Sequence, residues 1–215
     1  MKENVFFDLD GTLTDPGIGI TNSVLHALSF YGIREESRSK LNAFIGPPLV
    51  DSFQSIYGFS HERALEAIGL FREYFEKTGI FENALYDGVP EMLRALKEKG
   101  ATLILATSKP ELFALRILDH FGILSYFDFV CGATMDEKER STKEEVLSYA
   151  LKKSGADPRK SVMVGDRKYD ILSAHFFGLS SVGVLYGYGS REELSQAGAQ
   201  ELCQSVEECK EVLLS

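Results

Sequence analysis

Short apolar runs and stretches of helical periodicity alternate along most of this chain. The run at residues 4–9 is rich in Val and Phe, which predicts a buried β-strand. Further strands are predicted by later apolar runs at residues 102–106, 127–131, 161–164 and 181–185. The stretches between them repeat apolar residues at helical spacing and end at glycine, which predicts helices at 88–100, 110–122 and 141–155 and one that ends at Gly178.

Hydroxyl side chains followed three residues later by glutamate mark several of the predicted helix starts. Ser141 and Thr142 precede Glu144 and Glu145 at this spacing, so two overlapping capping boxes begin one helix. The same spacing predicts two short final helices, capped by the pairs Ser190 with Glu193 and Ser205 with Glu208.

Residues 15–84 differ from the rest, because helical spacing continues there without an interrupting strand pattern. Helices are predicted from about residue 16 to Gly32, over 49–57 and over 60–78. In the last of these, one face carries apolar side chains that we expect in a packed core, namely Leu65, Ile68, Phe71 and Phe75. The segment F-I-G-P-P-L at 44–49 predicts a rigid turn between two helices.

The alternation of strands and helices predicts an α/β fold with a Rossmann-like, doubly wound parallel sheet. Strands that follow one another through a helix pair in parallel through right-handed crossovers. We therefore expect a core made of residues 1–14 and 85–215, with the all-helical segment 15–84 inserted after the first strand.

Composition supports a globular chain and excludes some partners. Of the 215 residues, 44% are hydrophobic and 26% are charged, and no apolar run approaches the roughly 20 residues of a membrane span. The first apolar run is too short for a signal peptide, so we expect a cytoplasmic protein with no membrane partner. A net charge of −9 argues against a nucleic acid polymer or an anionic lipid as partner, but a small anionic substrate remains compatible.

The three cysteines and the absence of a sustained heptad pattern set two further expectations. An odd, sparse count of cysteines, none of them in a C-x-x-C pair, favours reduced thiols over a disulfide framework. Without a coiled-coil seam we expect a monomer, with a homodimer as the alternative.

Polar residues follow the predicted strands at the edge where ligands bind in open parallel sheets. Four separate segments bring acids, hydroxyls and a lysine to that edge, and their candidate residues are Asp8, Asp10, Thr107, Ser108, Lys143, Asp166 and Asp170. Clustered carboxylates favour a hard divalent cation, and Mg²⁺ commonly shares such a site with water and substrate phosphate. A carboxylate can also act as the nucleophile in phosphoryl transfer.

Each candidate also has an ordinary structural interpretation. Asp8 and Asp10 can be turn formers, although turn formation does not need an acid inside the strand. Thr107 and Ser108 can cap the helix that begins at Pro110, and capping is compatible with ligand binding. Taken alone, Lys143 fits a solvated surface lysine, and Asp166 with Asp170 fits an exposed acidic pair on a helix.

The four segments together resemble the haloacid dehalogenase superfamily, specifically its phosphatases with a helical cap after the first strand. F-D-L-D-G-T-L-T-D is similar to the first motif of these enzymes and L-A-T-S-K-P to the second. Lys143 fits the lysine of the third motif, although the usual Lys-Pro pair is absent, and V-G-D-R-K-Y-D is similar to the fourth. The resemblance spans nearly the whole chain.

The resemblance implies roles for the candidate residues. Asp8 is expected to attack phosphorus, and Asp10 to protonate the leaving oxygen and then activate water. Thr107, Ser108, Lys143 and Gly11 are expected to hold the phosphate, with backbone amides as additional donors. Mg²⁺ is the expected cofactor, and its expected ligands are Asp8, the backbone carbonyl of Asp10, Asp166 and Asp170.

Asp10 and residues 183–194 narrow the activity that the resemblance implies to a smaller set of enzymes. A dehalogenase is expected to lack the second aspartate, so a phosphatase is favoured, while a sugar phosphomutase, a pyrophosphatase and a catalytically idle phospholigand-binding homologue stay open. Residues 183–194 resemble the subgroup named phosphoglycolate phosphatase or 5′-nucleotidase, which implies a small phosphorylated metabolite as substrate. In that stretch, Gly187 and Gly189 either lead to the cap at Ser190 or shape the rim of the site.

Overall fold

Helices and strands alternate through most of the chain in this computed structural model, which describes residues 2–136 and 139–215. In chain order the elements are β1 (Asn4–Phe7), β2 (Thr14–Asp15), α1 (Gly17–Phe30), α2 (Arg38–Asn42), α3 (Leu49–Tyr57), α4 (His61–Phe75), β3 (Ala84–Leu85), α5 (Val89–Glu98), β4 (Thr102–Pro110), α6 (Glu111–His120), β5 (Phe129–Ala133), α7 (Lys143–Ser154), β6 (Ser161–Gly165), α8 (Lys168–Phe177), β7 (Ser180–Val184), α9 (Arg191–Gln196), β8 (Glu201–Cys203) and α10 (Val206–Leu214). Contacts divide the chain into a core unit, formed by residues up to Thr14 together with Leu85–Ser215, and a helical unit, Asp15–Ala84.

A six-stranded sheet organises the core unit, in the order β5-β4-β1-β6-β7-β8. Every neighbouring pair is parallel, and β1 lies between β4 and β6 with Asn4 opposite Thr102 and Ser161. This is the Rossmann-like α/β sheet that the alternation predicts. The chain extends the sheet from β1 to one side and then returns to build the other side, which creates a crevice beyond the carboxyl ends of β1, β4 and β6.

Helices cover both faces of this sheet, because its strands are apolar on both sides. Phe6, Ile104 and Met163 pack with buried residues of α7 and α8. Since side chains alternate along a strand, the neighbours Phe7 and Leu105, also fully buried, face the opposite side. Strands buried on both faces are expected to read as continuous apolar runs, which explains why the sequence reveals them.

Local capping chemistry begins the later helices as the sequence predicts. The side chain of Thr142 accepts the Glu145 N–H at the start of α7, and Ser190 accepts the Glu193 N–H at the start of α9. Ser205 accepts the Glu208 N–H at the start of α10 in the same way. All three cysteines are buried and free, in line with the expected thiols.

Two sequence predictions about individual elements are wrong or incomplete. Leu65 is 51% exposed, whereas Ile68, Phe71 and Phe75 are buried, so the buried face of α4 does not include it. Strand β8 was not predicted, because it has three residues and begins with the exposed Glu201. Within the described residues, no helix combines the length and the apolar character that a membrane span requires.

Candidate active site

The candidate site lies where β1, β4 and β6 end side by side. Asp8 follows β1 directly, and its N–H still donates to the Val164 carbonyl of β6 at 2.9 Å. Thr107 lies in the extended end of β4, and Asp166 follows β6. The register of the three strands therefore gathers the polar residues from separate segments, as the motif order predicts.

Lys143 occupies the first position of α7, and its side chain is only 4% exposed. Its Nζ lies 2.8 Å from Asp8 Oδ1, 2.7 Å from Asp170 Oδ1 and 2.8 Å from the Ala106 carbonyl oxygen. Burial opposes the charge of the ammonium group, but Asp170 and Asp8 outweigh it, so the pKa of Lys143 lies above its ordinary value. The interpretation as a surface lysine is therefore wrong.

Three buried carboxylates form a cluster beside this lysine. One oxygen from each of Asp8, Asp166 and Asp170 can be chosen so that the three lie within 4.8 Å of one another. Asp166 is 1% exposed, and the Tyr188 N–H donates to its Oδ2 at 2.8 Å. Its burial, followed by the charges of Asp170 and Asp8, raises the pKa of Asp166 well above the ordinary value.

Asp170 lies in the first turn of α8, where its Oδ2 accepts the Arg167 N–H at 3.1 Å. Burial raises the pKa of Asp170 to about 6, and the ion pair with Lys143 acts in the opposite direction. Asp166 and Asp170 are both 1% exposed, so the interpretation as an exposed acidic pair is wrong. The fold buries these acids because β6 and the start of α8 lie against the switch point of the sheet.

The acid cluster fits a hard divalent cation. Asp166 Oδ1 is buried and has no hydrogen-bond partner among the described residues. A buried carboxylate oxygen without a donor is costly, and a cation would satisfy it and reduce the repulsion among the three acids. Carboxylate oxygens are the ligands that Mg²⁺ prefers, and so the chemistry of the donor set matches that ion.

Asp10 forms a separate ion pair with Lys109. Asp10 Oδ2 lies 2.7 Å from Lys109 Nζ, and the two side chains are 14% and 6% exposed. Burial raises the pKa of Asp10 above its ordinary value, although Lys109 lowers it in part. Lys109 lies within the L-A-T-S-K-P segment of the second motif, and the sequence alone assigned it no partner.

Thr107 and Ser108 belong to the extended end of β4. Thr107 is 2% exposed, and its Oγ1 accepts the Lys109 N–H at 3.3 Å. Helix α6 has Pro110 at its N-cap and no side-chain cap there, so neither hydroxyl caps it in the way that the sequence allowed. Ser108 is half-buried beside Thr107.

Three glycines pack so closely against Asp166 that none of them has room for a side chain. Gly11 has φ +80°, and a Cβ there would overlap the Asp166 carboxylate. A Cβ on Gly187 would overlap both the Gly11 carbonyl and Asp166, and one on Gly189 would overlap the Asp166 carbonyl. These contacts favour the interpretation of residues 187–189 as a loop that shapes the rim.

The sequence did not reveal two further contributors to this environment. Gly165 precedes Asp166, and a Cβ there would overlap the Asp170 carboxylate. The Tyr188 N–H donates to Asp166, but a backbone donor leaves no mark on residue choice. The only available signal was the density of glycine around the fourth motif and after β7.

Comparison with known proteins gives one family. The family described as haloacid dehalogenase-like hydrolase matches residues 5–184. A Pseudomonas aeruginosa protein named 5′-nucleotidase is 43% identical over 99% of this chain and 96% of its own length. A Vibrio vulnificus phosphoglycolate phosphatase is 32% identical over 98% of this chain and 95% of its own length.

Two further similarities extend this comparison. The Mycobacterium tuberculosis protein named tyrosine-protein kinase PtkA is 36% identical over 97% of this chain and 72% of its own length. The crystal structure of a predicted phosphatase from Clostridium acetobutylicum superposes with a TM-score of 0.95 at 45% identity, covering 100% of this chain and 99% of that one.

Proposed function

Because the chain belongs to the haloacid dehalogenase-like hydrolase family, and to its phosphatases by its relatives, we propose that it hydrolyses a small phosphomonoester with Mg²⁺ through an aspartyl phosphate on Asp8. The observation that carries this proposal is the position of Asp8, whose Oδ1 lies 2.8 Å from Lys143 Nζ and whose carboxylate clusters with those of the buried Asp166 and Asp170. Such an arrangement offers a nucleophilic carboxylate oxygen beside an ammonium group and a cation site that would balance the negative charge of the phosphate.

The chain's own residues divide the reaction among them. An Asp8 oxygen attacks phosphorus, and the bond from phosphorus to the leaving oxygen breaks while Asp10 gives that oxygen a proton. Asp10 then takes a proton from water as the water attacks the aspartyl phosphate, which releases phosphate and restores Asp8. Thr107, Ser108, Lys143 and the backbone at Gly11 hold the phosphate oxygens in line.

Mg²⁺ would be held by Asp8, the Asp10 backbone carbonyl, Asp166 and Asp170. When bound, it supplies positive charge that offsets repulsion between the Asp8 carboxylate and the substrate phosphate. Buried Asp166 Oδ1, which has no hydrogen-bond partner within the described part of the chain, supports this ligand set.

The substrate class is a nucleoside 5′-monophosphate or phosphoglycolate. The 43% identical relative is named 5′-nucleotidase, and so nucleoside 5′-monophosphates are the first compounds to assay. Phosphoglycolate follows because of the 32% identical Vibrio enzyme. A hexose phosphate with a bisphosphate activator tests for a mutase, and pyrophosphate tests for a pyrophosphatase.

The decisive experiment combines turnover with trapping of the intermediate. We expect phosphate release that requires Mg²⁺ and stops with a chelator, and acid quenching with labelled substrate should leave a base-labile label on the protein. Asp8→Asn should lose the label and lower kcat by about 10⁴-fold or more. Asp119→Asn, an exposed acid on α6, is the matched control and should behave like wild type. Metal-independent turnover, or a label retained by Asp8→Asn, contradicts the proposal.

The relative named tyrosine-protein kinase supports a second candidate, phosphoryl transfer to protein tyrosine. The same quenched reactions separate the two, with labelled ATP and a tyrosine-containing protein as substrates. Label transferred to tyrosine in preference to water would favour the kinase activity.

A further inference from the structure

Strand β4 changes register just before the site, and the change affects Lys109. Thr107 pairs with Gly132 of β5 and the next pair joins Pro110 to Ala133, so Ser108 and Lys109 are extra residues in β4. Irregularities of this kind re-aim side chains at the ends of strands next to active sites. The side chain so directed is Lys109, whose Nζ reaches Asp10.

The backbone around this irregularity is held closely in place. A Cβ on Gly132 would come within 2.6 Å of the Lys109 carbonyl oxygen and 2.8 Å of the Glu111 nitrogen. The Gly132 N–H donates to Glu111 Oε2 at 3.2 Å, and the Lys109 N–H donates to Thr107 Oγ1 at 3.3 Å. Lys109 therefore projects from a constrained segment, in contrast to lysines on mobile surface loops.

The two carboxylate oxygens of Asp10 have different surroundings. Oδ2 lies 2.7 Å from the Lys109 ammonium group. Oδ1 is also buried, yet it has no hydrogen-bond partner among the described residues. An ammonium group can only donate hydrogen bonds, so the oxygen beside it stays without a proton and the proton of the acid form belongs on Oδ1.

We propose that Lys109 is a positioning residue for Asp10, holding Oδ2 so that Oδ1 faces the leaving oxygen of the substrate. This inference rests on the proposed phosphatase function. In the first step the bond from phosphorus to the leaving oxygen breaks, and the proton on Oδ1 moves to that oxygen. Lys109 itself neither gives nor takes a proton, and its contribution is the orientation of the carboxyl group.

Leaving groups of different basicity test this role. An alkyl phosphomonoester leaves as a basic alkoxide that needs the proton, whereas p-nitrophenolate leaves without it. We expect Lys109→Met to lower kcat/KM for glycerol phosphate by about 10²-fold and to lower kcat/KM for p-nitrophenyl phosphate by only about threefold. Lys109→Arg should recover part of the loss, because the cation and its donors return.

Two comparisons separate positioning from a structural role. If Lys109 acts through Asp10, adding Lys109→Met to Asp10→Asn should lower alkyl phosphate hydrolysis no further than Asp10→Asn alone. Lys99→Met removes an exposed lysine of the core unit and should leave both substrates unaffected. Thermal unfolding of each variant checks that the fold is intact, and Lys109→Arg provides the measurement if Lys109→Met does not fold.

The outcomes distinguish this inference from the function on which it rests. Equal losses for both leaving groups, additive losses in the double variant, or unchanged kinetics in a folded Lys109→Met protein overturn the positioning role alone. In the Lys109→Arg variant, a larger loss of kcat/KM for p-nitrophenyl phosphate than for glycerol phosphate also overturns the positioning role. A wild-type protein that with Mg²⁺ hydrolyses neither of these esters, nor nucleoside 5′-monophosphates or phosphoglycolate, overturns the proposed phosphatase function, and the inference fails with it.

Discussion

A carboxylate at the rim of the core unit, the edge beyond the ends of β1, β4 and β6 that carries Asp8, Asp166 and Asp170, is surrounded differently from a carboxylate of the helical unit. In the helical unit the Glu35 carboxylate accepts bonds from the Ser37 N–H, Lys40 and the Tyr57 hydroxyl. At the rim, Asp166 is more deeply buried, yet its Oδ1 has no hydrogen-bond partner within residues 2–136 and 139–215. The helical unit gives the Glu35 carboxylate three donors, whereas the rim leaves this buried oxygen of Asp166 without one from the described residues.

Packing shows the same difference. Aromatic rings fill the helical unit, with Phe53 stacked on Phe59 at 5.8 Å and edge-on to Phe44 at 4.9 Å. The guanidinium of Arg63 lies 4.4 Å from the centre of the Phe59 ring. At the rim, acids lie against glycine backbones that leave no room for a side chain. Buried acids packed against backbone are expected to reduce stability, and such local costs are typical of functional sites, whereas the helical unit follows ordinary packing rules.

The largest expected effect comes from removing the Lys143 ammonium group, which offsets the negative charge of the buried acids at the rim. Lys143→Met should destabilise the metal-free protein by about 3–5 kcal/mol, because it leaves Asp8 and Asp170 buried without a charge partner. It should also lower kcat by about 10²–10³-fold through the loss of a phosphate donor. Urea unfolding and steady-state kinetics provide the measurements.

Lys152→Met is the matched control, because Lys152 is exposed on the same helix. It should change stability by less than about 0.5 kcal/mol. Added Mg²⁺ should restore part of the stability of Lys143→Met, since a cation in the acid cluster takes over part of the compensation. Equal effects of the two substitutions would show that the rim carries no special electrostatic cost.

The second test varies pH. Asp170 has its pKa raised to about 6 and the pKa of Asp166 shifts the same way, so in the metal-free protein both acids favour folding when protonated. The contribution of Asp170 is present below about pH 4 and is lost as the pH rises through about 6, at a cost of about 1–3 kcal/mol, and that of Asp166 is lost in the same direction.

Mg²⁺ should remove this loss, so its stabilising effect should be larger at pH 7 than at pH 5. Melting temperatures with chelator and with Mg²⁺ at the two pH values provide the measurement. Asp170→Asn should flatten the pH dependence. A stabilisation by Mg²⁺ that is the same at both pH values would place the ion away from these acids.

The smallest test compares one glycine from each region. Gly187→Ala should destabilise the protein by about 2 kcal/mol and weaken Mg²⁺ binding by about tenfold, since the methyl group would displace Asp166. Gly69 lies in the middle of α4, where a methyl group would meet no described atom beyond its own helical turn within 4 Å, so Gly69→Ala should stabilise by about 0.5–1 kcal/mol. Unfolding curves and Mg²⁺ titrations measure both, and the same sign of change in stability for both would contradict the comparison.

Local rules made much of the fold predictable from the sequence. The starts of α7, α9 and α10 were predictable from their N-caps Thr142, Ser190 and Ser205, because each cap needs only residues three positions apart. Strand β8 escaped prediction because its pairing with β7, through Cys203 opposite Val184, depends on tertiary contact. Leu65 was misplaced because helical spacing alone does not fix the edge of a buried face.

The proximity of the candidate residues was predictable from the sequence, but their ion pairs were not. Motif order placed Asp8, Thr107 and Asp166 at neighbouring strand ends, and the structure brings those ends together. The burial of Lys143 could not be predicted, because a lysine at a helix start is ordinarily solvated and only the fold supplies its carboxylates. The ion pair of Lys109 depends on a two-residue irregularity in β4 that leaves no recognisable pattern.

The central place of β1 in the sheet has a consequence for synthesis of the chain. V-F-F leaves the ribosome well before its two partner strands, which begin at Thr102 and at Ser161. At ribosomal rates of about 5–20 residues per second, the strand waits on the order of ten seconds for the second partner. During that time the helical unit, which is continuous in sequence, can already fold. Strand β1 meanwhile exposes an apolar segment that is prone to aggregation. We expect chaperones to bind the nascent chain at this strand during that interval.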